Sequence, residues 1–178
     1  MALFRGRQPA SVVWNRFRSG VDSFTFTEDD GYYCAHVVAN TERVVELLHA
    51  LIEELPPAVN VYVEDIRTDR AWHGERLALP DVRDTFARLK LPLTSHAGVE
   101  FCVYTADDQL TLTPELELYI YARTDRWLYV LLGKGLIESN ELPGAAWRLG
   151  PDDLEASVEL QDALARAVEQ LGLEERRA

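Results

Sequence analysis

Residues 99–133 read VEFCVYTADDQLTLTPELELYIYARTDRWLYVLLG, and the alternation of side chains along this stretch decides the predicted fold. Successive side chains of a strand point to opposite faces of the sheet. We therefore predict three strands here, each with one aliphatic row and one row of mixed chemistry. The aliphatic rows are Val99, Phe101 and Val103, then Leu116, Leu118 and Ile120, then Leu128, Val130 and Leu132. The opposite rows are Glu100, Cys102 and Tyr104, then Glu117, Tyr119, Tyr121 and Arg123, then Trp127, Tyr129 and Leu131.

A fourth predicted strand, 59–66, continues the pattern, with three valines on one side and Asn60, Tyr62 and Glu64 on the other. An aliphatic face packs into a core, whereas a face of tyrosines and carboxylates can border water, a ligand or a partner. We call this second surface the Tyr/Glu face. Its predicted members are Tyr62, Glu64, Glu100, Tyr104, Glu117, Tyr119, Tyr121 and Arg123. Trp72, in the polar segment 68–76, is hard to explain as a core residue and is predicted to join this ligand or partner surface.

Turn and capping signals organise the rest of the chain. Further strands are predicted at 12–17, 23–27, 32–38 and 71–77, and Asp30-Gly31 predicts a hairpin between the second and third of these. Apolar stripes predict helices at 41–55, which Pro56-Pro57 ends, at 80–89, and at 151–171, which Pro151 begins and Gly172 ends. The fold class is therefore α+β. We expect a mainly antiparallel twisted sheet of about six to eight strands, with the two long helices and the short one on its aliphatic face.

Length and charge restrict the class of protein. The 178 residues fit a single domain, predicted at 11–173, with a basic arm at 1–10 and a frayed tail at 174–178. The net charge of −12 disfavours binding to nucleic acid or to an anionic membrane surface. Cys34 and Cys102 lie in predicted strands without metal-site or redox spacing, which favours two reduced thiols in the cytoplasm.

Sequence motifs of catalysis and cofactor binding are lacking. Cys34 and His36 share a strand face, but two ligands do not complete a zinc site. Ser95-His96 falls in a predicted loop without the partners of a catalytic triad. The glycines around Lys134 do not form a phosphate-binding loop. We therefore predict no catalytic residue, no metal and no cofactor.

Three functions are compatible with this pattern. The first is a non-enzymatic module that binds a protein partner, or a second copy of itself, through the Tyr/Glu face and Trp72. The second is a small-molecule sensor or enzyme whose pocket takes its charge from Glu64, Glu100 and Glu117, since closely paired carboxyls shift each other's pKa. In that pocket Tyr104 and Tyr119 would form walls, and Arg123 would contact an anion. The third is an acidic inhibitor of a basic enzyme.

Overall fold

A computed structural model describes residues 22–142, 149–150 and 154–176, and the statements below refer to these ranges. The predicted strand at 12–17, the basic arm at 1–10 and the predicted start of the last helix at Pro151 lie outside the described residues.

One mixed sheet of nine strands forms the framework. Its spatial order is β8-β1-β2-β7-β6-β5-β3-β4-β9, and every neighbouring pair is antiparallel except β1 with β8. The strands are β1 (Ser23–Asp29), β2 (Tyr32–Val38), β3 (Ala58–Asp65), β4 (Arg70–Ala78), β5 (Val99–Tyr104), β6 (Asp108–Leu112), β7 (Leu118–Ala122), β8 (Ile137–Glu138) and β9 (Glu174–Arg176). The prediction of an α+β fold with a mainly antiparallel sheet is confirmed.

Helices pack against the aliphatic face of this sheet. They are α1 (Thr41–Ile52), α2 (Leu79–His96), α3 (Arg126–Gly133) and α4 (Val158–Leu171). Their apolar stripes join the aliphatic strand rows in one core, in which Phe86 of α2 and Phe101 of β5 meet with ring centroids 4.8 Å apart. Within the described ranges, no helix is both long and apolar enough to cross a membrane.

The local signals near the start of the described chain gave the correct elements. β1 and β2 form the predicted hairpin, and Asp30 and Gly31 both have positive φ, at 48° and 77°. Two successive positive φ values are the geometry of a tight turn that matches strand twist, and Asp-Gly adopts it readily. α1 buries the predicted apolar stripe but ends at Ile52, three residues before the predicted end.

The third predicted strand of the opening stretch is wrong, because residues 126–133 form helix α3. Trp127 and Leu131, one helical turn apart, are fully buried, whereas Tyr129 between them is 64% exposed. A strand would place all three on one face. The run is apolar on every side, so its sequence is compatible with the two-residue period of a strand and with the 3.6-residue period of a helix.

Two helices differ from their predicted bounds. The helix predicted at 80–89 runs on to His96 because Leu93 continues the buried row of Val82, Phe86 and Leu89. It is therefore a long helix, and Ser95-His96 lies in its last turn rather than in a loop. The last helix begins at Val158 rather than at 151, and the Ser157 hydroxyl caps it by accepting a hydrogen bond from the backbone N–H of Leu160 at 3.2 Å.

The sheet is also wider than predicted. Strand β6 pairs with β5 and β7, although its residues fell between two predicted strands. Residues 174–176, expected in a frayed tail, form β9 and pair with residues 71–73 of β4. Strand β4 therefore has neighbours on both sides along this stretch instead of forming a free edge.

Candidate functional site

Cross-strand register brings the predicted members of the Tyr/Glu face onto one side of the sheet. Paired residues share a face, and one row runs His36, Tyr119, Thr111, Cys102, Tyr62 and His73 across six strands. A second row runs Cys34, Tyr121, Gln109, Tyr104 and Asn60. The aliphatic rows that contact the helices lie on the opposite side.

A pair of carboxylates lies at one end of this face. Glu64 of β3 and Glu100 of β5 are directly opposite each other in the antiparallel ladder. The Tyr62 hydroxyl donates a hydrogen bond of 2.6 Å to Glu64 Oε2, and this bond raises the pKa of Tyr62 to about 12. Burial, followed by the charge of Glu64, raises the pKa of Glu100 above its ordinary value. Like charges that oppose each other across a ladder destabilise a sheet, so the pair lowers the stability of the folded protein.

An aromatic stack lies at the other end of the face. The rings of His36 and Tyr119 are 4.2 Å apart and nearly parallel, and Tyr121 continues the stack at 6.3 Å from Tyr119. His36 Nε2 and Glu117 Oε2 are 2.8 Å apart, which fixes the orientation of the imidazole. The His36 and Tyr119 rings are thus held in a fixed arrangement.

Two small side chains, Cys102 and Thr111, separate the carboxylate pair from the aromatic stack. Both are buried, and the Thr111 hydroxyl lies 3.4 Å from Cys102 Sγ. Burial raises the pKa of Cys102 to about 11, and burial also raises the pKa of Cys34. A thiol with a raised pKa stays protonated at neutral pH and is a poor nucleophile. These cysteines therefore do not have the properties of catalytic thiolates.

One predicted site residue lies on the other side of the sheet, and another lies at the rim of the face. Trp72 faces the helix side of β4 and is 6% exposed, so its placement on the Tyr/Glu face is wrong. Most of the residues that flank Trp72 in the sequence are polar, so they give no sign that it occupies a core position opposite Val63. Arg123 follows β7 at the rim of the face, where its guanidinium lies 5.8 Å from the Tyr32 ring centroid and 3.7 Å from Asp107.

Two contributors to the face are not predicted from the sequence. His36 was considered only as a metal ligand with Cys34, although its partners are Glu117 and Tyr119. Thr111 belongs to the strand that was not predicted. The strand alternation of 32–38 could have placed His36 on the polar side, but its pairing with β7 depends on contacts distant in sequence.

Comparisons with known proteins add no relatives. No family model, curated protein or solved structure matches the chain. Among the described residues, no group of three or more His, Cys, Asp or Glu side chains is arranged to hold a metal ion.

Replacing Glu100 by glutamine is expected to stabilise the free protein. The folded pKa of Glu100 is higher than its ordinary value of 4.5, so the folded state binds more protons in the interval between the two values. The unfolding free energy therefore decreases as the pH rises through that interval. Above the interval, the full destabilisation caused by the charged Glu100 is present. We expect Glu100→Gln to raise the unfolding free energy at neutral pH by about 0.5 kcal/mol and to reduce this pH dependence.

Urea denaturation at about pH 4 and about pH 7 measures both effects. Glu75→Gln is the matched control, because Glu75 is an exposed residue of strand β4 in the same sheet. A lower unfolding free energy for Glu100→Gln than for the unmodified protein at neutral pH would show that the carboxylate pair is not a source of strain.

Proposed function

We propose that this chain is a non-enzymatic protein-binding module whose Tyr/Glu face binds a Lys- or Arg-rich segment of a partner protein. The opposed pair Glu64 and Glu100 is the observation that carries the proposal. Departures from a local stability rule are typical of functional sites. A guanidinium or ammonium placed between the two carboxylates would replace their repulsion with two attractions.

The aromatic stack supplies the second part of this binding surface. Its residue Tyr119 lies about 12 Å from Glu100, since two strand spacings of about 4.8 Å separate β7 from β5 and the two positions are offset by two residues of about 3.4 Å along the strands. Tyrosine rings contribute much of the energy of protein interfaces, and their faces attract cations. An extended basic segment that crosses the strands can therefore contact the stack and the carboxylate pair together.

Charge favours a basic partner over a second copy of this chain. The protein carries a net charge of −12, and Glu64, Glu100 and Glu117 all belong to the Tyr/Glu face. Two such faces would repel each other, whereas a basic surface would be attracted and steered into place. A basic enzyme that this protein inhibits is one form of such a partner.

The breadth of the Tyr/Glu face also favours a macromolecular partner over a small ligand there. Binding sites for small molecules are concave and few in number. The Tyr/Glu face instead presents side chains from five adjacent central strands as a broad surface.

Anisotropy of a fluorescently labelled RSRSRSRS peptide, titrated with the protein, tests the proposal. We expect saturable binding that weakens at high salt, whereas the acidic peptide ESESESES should not bind. The double variant Glu64→Gln/Glu100→Gln is expected to bind about tenfold more weakly, because each partly exposed ion pair contributes up to about 1 kcal/mol.

A second double variant, Glu42→Gln/Glu155→Gln, is the matched control. It removes the same charge from exposed positions outside the sheet. The proposal predicts near-normal affinity for this control. Equal losses in the two double variants, or equal binding of the basic and acidic peptides, would contradict it.

A further inference from the structure

A groove of about 510 Å³ lies between β4 and α4, on the side of the sheet opposite the Tyr/Glu face. Its apolar wall consists of Trp72 from the sheet and of Leu164, Ala165 and Val168 from the helix. Cavities of roughly 300–1,000 Å³ with apolar walls and a few polar groups are typical of small-molecule sites. The groove therefore has the size and the lining of a ligand site.

The basic side chain that lines this groove is already neutralised. Arg70 donates two hydrogen bonds to the carboxylate of Glu175, at 2.7 and 3.1 Å. Its guanidinium also lies 4.9 Å from the Trp72 ring centroid, which holds both groups in place. Because Glu175 already balances its charge, Arg70 is poorly suited to bind an anionic ligand.

The acidic residue beneath the groove is also committed to other contacts. Asp65 is 1% exposed and accepts hydrogen bonds from the backbone N–H of Arg67 and from the Thr68 hydroxyl. The Arg67 guanidinium lies 3.7 Å from Asp65. This buried ion pair stabilises the turn before β4. The net charge of the groove is therefore determined by residues of α4.

Two carboxylates on α4 also line the groove. Asp162 and Glu169 are seven residues apart, so they lie on one side of the helix, separated by about 10.5 Å along its axis. Both are exposed, and neither carboxylate has an ion-pair partner among residues 22–142, 149–150 and 154–176. They give the lining of the groove a net negative charge.

We propose that this groove binds a small organic cation that carries an aromatic or branched apolar body. The apolar body packs against Trp72 and over the small side chain of Ala165. The ammonium or amidinium group lies at the mouth, within reach of Asp162 or Glu169. This site is independent of the Tyr/Glu face, so either site can exist without the other.

Three probes that share a phenyl body and carry a positive, neutral or negative head group test this site. The indole N–H resonance of Trp72 in the full chain is followed during addition of 2-phenylethylamine, 2-phenylethanol or phenylacetate. We expect the amine to shift this resonance saturably and to bind at least about tenfold more tightly than the alcohol, whereas phenylacetate should have no effect. The buried indole N–H of Trp127, bonded to Asp108, serves as an internal reference that should not move.

Variants separate the charge of the site from its shape. Asp162→Asn/Glu169→Gln is expected to weaken binding of the amine about tenfold, whereas Glu42→Gln/Asp84→Asn, which removes the same charge elsewhere, should not. Ala165→Phe fills the groove from an exposed helix position and is expected to abolish the shift. The proposal is wrong if the amine leaves the Trp72 resonance unmoved up to its solubility limit. It is also wrong if all three probes act alike, or if binding survives these α4 substitutions.

Discussion

Replacing Trp127 by alanine is expected to lower the unfolding free energy by about 3–5 kcal/mol, the usual cost of truncating a buried tryptophan. Trp127 is fully buried, and its indole N–H donates a hydrogen bond of 2.7 Å to Asp108 Oδ1. Arg126 donates to the other carboxylate oxygen at 2.9 Å, and its guanidinium lies 4.4 Å from the Trp127 ring centroid. The substitution therefore removes apolar packing and also leaves Asp108 without one of its donors.

Tyr129→Ala is the matched control in the same helix. Tyr129 is 64% exposed, so its loss is expected to change the unfolding free energy by less than about 0.5 kcal/mol. Denaturant titration of both variants measures the difference. Comparable losses for the two substitutions would contradict the helix, because residues two apart share a face in a strand but not in a helix.

This segment also shows why part of the fold could not be predicted. Residues 127–132 are all apolar, so the sequence contains no polar side chain that distinguishes a period of 2 from a period of 3.6. The contact between Trp127 and Asp108 links residues 19 apart in sequence, and no local pattern reveals it. Trp72 was misplaced for a similar reason, because it is buried by packing rather than by its polar neighbours.

Patterns that depend on near neighbours were more informative. The Asp30-Gly31 turn and the buried stripe of α1 could be predicted because both depend on residues only a few positions apart. Alternation likewise placed Tyr119 and Tyr121 on one side of β7. The opposition of Glu64 and Glu100 and the pairing of His36 with Glu117 depend on strand order, which the sequence alone does not specify.

Glu100→Lys is expected to move stability and binding in opposite directions. Lysine at this position lies opposite Glu64, so a repulsive pair becomes an attractive one, and the unfolding free energy should rise by about 0.5–1 kcal/mol. The same substitution places a positive charge at the position that the basic side chains of the proposed partner would contact. Affinity for the RSRSRSRS peptide is therefore expected to fall by about 100-fold, since a like-charge contact costs several kcal/mol.

Glu138→Lys changes the net charge by the same amount at an exposed position of the edge strand β8 and serves as the control, because Glu138 pairs with Phe24 on the helix side of the sheet. We expect it to reduce peptide affinity only slightly, through the long-range field of the protein. Denaturation and anisotropy measured on the same samples separate the two effects. A stabilised Glu100→Lys variant with undiminished peptide affinity would mean that the carboxylate pair is not part of the binding surface.

Fluorine NMR of protein labelled with 3-fluorotyrosine tests most directly whether the Tyr/Glu face binds basic segments. Tyr62, Tyr104, Tyr119 and Tyr121 lie on this face. Tyr33 stacks on Phe26 on the helix side, and Tyr129 lies on α3, so both serve as internal references. The proposed function predicts that addition of RSRSRSRS shifts the first four resonances and leaves the two references unmoved. Shifts at Tyr33 or Tyr129, with the resonances of the Tyr/Glu face unchanged, would contradict it.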